Sequence, residues 1–147
     1  MTVLLLSLFV LVTPSIVNAQ SLSAEDIKAQ MVKEWERSKA YTIDYLNTMP
    51  ANKYSFKAVD SIRSFAQQML HLAGANVFFM SLATDQKAPS FPQDLEQRVS
   101  AQTKDSVMYF VTTSYDYAIS AAKSSDITKW GEKRNYRLAD MRKQDMR

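Results

Sequence analysis

The sequence contains no cysteine, two glycines, four prolines and one histidine among its 147 residues. The absent cysteine excludes disulfides, thiolate metal ligands, a cysteine nucleophile and a lipid-modified cysteine. Such a chain must rely on its hydrophobic core alone, and its length, near that of a typical single domain, allows one. Sandwiches and barrels need many turns, and turns draw on glycine and proline. Their scarcity points to long helices joined by few loops, an all-α fold. Both glycines, Gly74 and Gly131, stand alone, so no glycine-rich phosphate loop is present. With one histidine, a Ser-His-acid triad would have to use His71, and no nucleophile elbow marks a serine.

Charge is missing from the first twenty residues and concentrated in the last twenty-one. Of the 18 Lys/Arg and 15 Asp/Glu, residues 127–147 hold 7 and 3, which leaves 11 and 12 for the rest. The basic balance belongs to the tail, whereas nucleic-acid binding usually needs a basic face across the fold. No nucleic-acid partner is therefore expected. Val3–Val12 is apolar except for Ser7, and Pro14 and Val17-Asn18-Ala19 follow. This is the pattern of a signal peptide cut after Ala19. The apolar run is shorter than the roughly 20 residues that cross a bilayer. The expected division is a signal peptide over 1–19, a helical bundle over 20–130 and a basic tail or remnant of a last helix over 131–147. The mature protein is expected outside the cytoplasm, periplasmic or secreted, without a stable membrane span.

Three long amphipathic helices are predicted, near 23–49, 64–83 and 103–124. Ser23 can cap the first, with Glu25 and Asp26 at the positive end of its dipole. Ile27, Met31, Trp35, Thr42, Tyr45 and Met49, with Ser38 as a small step, form its predicted buried stripe. Pro50 stops it. PANKYSFKAVD, residues 50–60, reads as a loop, a strand-like link whose Tyr54 and Phe56 cap one end of the core rather than form an aromatic binding box. Ser64 and Gln67 form a capping box for the second helix. Phe65, Met69, Leu72, Ala73, Asn76 and Met80 share a face there, widened by Leu70, Val77 and Phe78. Pro89 and Pro92 keep 87–93 a loop, and a short helix is expected over 94–100. Thr103 caps the third helix, striped by Val107, Phe110, Val111, Tyr115, Ala118 and Ala122.

The segment WERSKAYTIDYLNTMPANKYSFKAVDSIRSFAQQMLHLAGAN, residues 35–76, resembles the DinB-like superfamily in its exported form. TTSYDYAISAAK, residues 112–123, is similar to that family's third helix. The resemblance spans about residues 25–130. It implies a DinB-like four-helix bundle, here with a shortened or degenerate fourth helix. It further implies a divalent metal, zinc or nickel, held by three histidines. One lies mid-way along the second helix, where His71 stands, and the others form an H-x-x-x-H pair on the fourth helix. Some relatives are thiol-dependent transferases or isomerases. His71 is alone here, so the metal site is incomplete, and no cofactor is expected for this chain.

A catalytic zinc usually takes three protein ligands. Asp44, Asp116 and Asp140 are the helical carboxylates that could join His71. The competing role for His71 is that of a half-buried histidine bonded to a neighbour, and the short supply of ligands favours it. Three readings of function follow. The first is an exported DinB-like domain, degenerate or truncated, that lacks a complete metal site. The second is a divalent-metal-dependent enzyme of that family with His71 as one ligand. The third is an extracytoplasmic module for a small molecule or a protein. A small-molecule ligand and a homo-oligomer remain open as partners.

Overall fold

The computed structural model describes residues 23–84 and 86–130. The leader, the tail and Asp140 lie outside the described residues. Among those described, three long helices and three 3-10 turns occur and no strand does. The helices are α1 (Ala24–Thr48), α2 (Phe65–Thr84) and α3 (Lys104–Ser124).

Local chemistry sets the helix starts. Ser23 accepts from the Asp26 backbone N–H at 3.0 Å, and the Asp26 carboxylate accepts the Ser23 N–H in return. The same exchange links Ser64 and Gln67 at the head of α2. Thr103 accepts from the Ser106 N–H at the head of α3. Each pair satisfies backbone donors that the helix itself leaves orphaned.

α3 is the central element and packs against both α1 and α2. It runs antiparallel to α1: Lys104 at its start donates to the Asn47 carbonyl, and Lys28 donates to the Ser125 carbonyl just past its end. It runs parallel to α2, with Asn76 donating to Ser114 and Tyr117 to the Gln86 carbonyl. Parallel neighbours cannot be joined by a tight turn, and the chain crosses back through residues 86–103. Leu46, Leu70, Ala73, Val107, Val111 and Tyr115 meet in the core between the helices. Beyond α3, Ile127–Lys129 forms a 3-10 turn that packs on α1.

Three expectations need correction. The buried stripe of α1 is only partly the expected one. Leu46 is its fully buried residue, and Trp35, Thr42 and Met49 are half-buried, whereas Ile27, Met31 and Tyr45 are exposed. Two adjacent rows on this helix carry apolar residues, and α3 covers the one holding Trp35 and Leu46. The link over 50–60 is not strand-like. It begins with a 3-10 turn at Ala51–Lys53; Tyr54 is buried and donates to the Leu46 carbonyl at 2.8 Å, but Phe56 is exposed. The short helix expected over 94–100 is instead a run of turns over 93–97 followed by a 3-10 turn at Val99–Ala101. No fourth long helix lies among the described residues.

Candidate functional site

His71 lies on the second turn of α2, between the buried Leu70 and Ala73 but off their row, with its side chain 45% exposed. Its Nδ1 meets Glu96 Oε1 at 2.6 Å. The other oxygen of Glu96 accepts from Arg63 Nε, also at 2.6 Å. Arg63 directly precedes the Ser64 cap, so the start of α2 fixes where its side chain departs. One carboxylate thus joins two cations or donors from the α2 end to a turn of the crossover.

The crossover holds Glu96 in place by its own packing. Leu95 is buried, and Phe91 meets Phe110 edge-on with centroids 5.1 Å apart. Gln102 donates to the Glu96 carbonyl at 2.8 Å. Arg98 pairs with Asp94 across the same turn. That guanidinium, with the Asp94 backbone, holds the Asp94 carboxyl below its usual range against the opposing effect of desolvation.

Partial burial pushes the Glu96 carboxyl up, but its bonds from Arg63 and His71 outweigh that and hold it below the usual range. An ionised carboxylate only accepts. Nδ1 of His71 must therefore carry the proton that is donated to Glu96.

Beside this cluster lies a cleft of about 620 Å³. Leu70 and Gly74 of α2 line one side, Phe91 and the turn 92–97 the other, and Arg63 and Glu96 supply charge. A methyl group at Gly74 would meet nothing within 4 Å, so packing gives no reason for glycine there. His71 borders the cleft through Glu96 and is not itself in its lining.

Of the proposed carboxylate ligands, the structure does not bring Asp44 or Asp116 to His71. Asp116 pairs with Lys39 at 2.5 Å, across the α1–α3 contact. Asp44 stands on the exposed side of α1. Among the described residues no three of His, Cys, Asp and Glu come together as a metal-binding group. His71 is instead half-buried and bonded to a neighbour. Arg63 and Glu96 were not foreseen, because they stand 33 positions apart and Glu96 lies in a turn without helical periodicity.

Comparison with known proteins gives no family: no family model matches the chain, nor does any curated protein or solved structure.

Proposed function

We propose that the mature chain is an exported, non-catalytic binding module, a degenerate four-helix bundle of the DinB-like type whose metal site has been lost. Its fourth helical position would be shortened or taken by residues 131–147. The cleft between α2 and the crossover would receive a small molecule, with Arg63 and Glu96 as polar anchors and Leu70, Phe91 and Pro92 as the apolar wall. No metal is assigned to it.

The observation that carries this reading is the sharing of Glu96 between His71 and Arg63. Glu96 is the carboxylate closest to becoming a second ligand beside His71, and a guanidinium already neutralises it. A dication entering there would face Arg63 at close range, at a cost in like-charge repulsion. His71 Nε2 alone falls short of the three protein ligands of a usual zinc site. The export half of the reading rests on the uncharged, apolar run of residues 3–12 and on Val17-Asn18-Ala19.

Elemental analysis of the protein recovered from its host tests the metal half. It should find zinc and nickel well below one per chain, and mass spectrometry should place the N-terminus at Gln20. A fragment screen read by NMR should move the Gly74, Phe91 and Glu96 amides together. Near one zinc or nickel per chain, lost in His71→Ala, would restore the metalloenzyme reading.

A further inference from the structure

Ile27, Met31, Glu34, Ser38, Tyr41 and Tyr45 follow one another along α1 by steps of four and three. That spacing keeps residues on one line of a helix and is the seam spacing of coiled coils. The line flanks the row that packs on α3, and its four apolar members are exposed, Tyr41 and Tyr45 by 66% and 56%. The row beside it is engaged: Trp35 and Thr42 meet Tyr115, and Lys39 meets Asp116. The Tyr45 ring also meets Phe65 at 5.3 Å; a solvent-facing helix line normally carries charge, so exposed Ile27, Met31 and Tyr41 in one seam call for a partner.

We infer that this line of α1 is the contact face of an antiparallel homodimer of the chain. The seam is symmetric about residue 36. In an antiparallel pair Ile27 meets the copy's Tyr45, Met31 meets its Tyr41, and Glu34 meets its Ser38. Aliphatic ends thereby pack on aromatic ends.

Charge selects this direction. Glu34 accepts from Gln30 and from Arg37 on the same helix. In the antiparallel pair Arg37 lies one residue, about 1.5 Å along the axis, from the level of the copy's Glu34. The two Glu34 carboxylates are then offset by four residues, about 6 Å along the axis. A parallel pair would set Glu34 on Glu34 and tyrosine on tyrosine, and like charges facing each other are destabilising. A second copy therefore fits both the apolar and the charged members of the line.

The native chain has no cysteine, which makes directed cross-linking clean. Ile27→Cys and Tyr45→Cys are prepared as full-length mature variants and oxidised separately and as an equimolar mixture. The mixture should yield a covalent dimer containing one chain of each. Each variant alone should yield little, because 18 residues, about 27 Å of helix, separate its own thiols across the pair. A disulfide requires Cα atoms closer than about 7 Å. Sedimentation of the unsubstituted mature protein should show a concentration-dependent dimer, and Met31→Lys with Tyr41→Lys should make it monomeric without loss of helical signal. A monomer at every concentration would overturn the inference and leave the face to another occupant, residues 131–147 among them. Equal cross-linking of each variant alone would overturn the antiparallel arrangement.

Discussion

Glu96 is the residue on which the site turns, and its ionisation makes it testable. Its carboxyl sits below the usual range when folded, because the bonds from Arg63 and His71 outweigh partial burial. A group that ionises more readily folded than unfolded contributes stability above its unfolded pKa and loses it as pH falls. Glu96→Gln should therefore lower stability at pH 7 by about 1–2 kcal/mol, given that the pair is partly exposed. The deficit should shrink as the pH drops below the ordinary carboxylate range, about 4, and vanish once the pH is below the lowered folded value. Thermal melts of both proteins across that range check it, and a deficit independent of pH would show that the carboxylate charge is not the contributor. Gly74 offers a test of opposite sign. It lies inside α2, where glycine costs about 0.5–1 kcal/mol against alanine, and a Cβ there meets open space. Gly74→Ala should raise stability by about that amount in a denaturant titration. Because the position borders the cleft, the same change should weaken whatever the cleft binds.

The helices themselves were legible in the sequence, to within one residue at each end, because their signals are local. Ser23, Ser64 and Thr103 sit where their hydroxyls can accept from the following backbone, and Pro50 closes α1. The face of α1 was not legible in the same way. Ile27, Met31 and Tyr45 are as apolar as Trp35 and Leu46, so periodicity offers two rows, and only the approach of α3 decides which is covered. The site was less legible still. His71 announced itself as the lone histidine, but Arg63 and Glu96 reach it only through the crossover, whose turns carry no period. Trp35 shows how the packing changes an energy. Had its ring been wholly buried, Trp35→Ala would cost about 3–5 kcal/mol. It is half-buried, edge-on to Tyr115 at 5.8 Å. The expected loss is nearer 2–3 kcal/mol by chemical denaturation. A loss under roughly 0.5 kcal/mol, the range of surface substitutions, would contradict its place between the two core clusters.

At the scale of the whole molecule, α3 joins α1 and α2 while large apolar groups on α1 and Phe79 on α2 remain exposed. α2 has no Asp, Glu, Lys or Arg along its length, yet no described helix is long and apolar enough to cross a membrane. α1 and α2 both pack on α3, and Glu96 of the crossover is shared between His71 and Arg63. On the proposed reading His71 donates to Glu96 and holds no metal. Nitrogen-detected NMR of the imidazole tests this most directly, since a single histidine gives a single set of ring signals. A protonated Nδ1, ring shifts that change in Glu96→Gln, and no change on adding one equivalent of zinc are expected. A stoichiometric zinc-dependent shift of Nε2, with Nδ1 unaffected by Glu96→Gln, would contradict it.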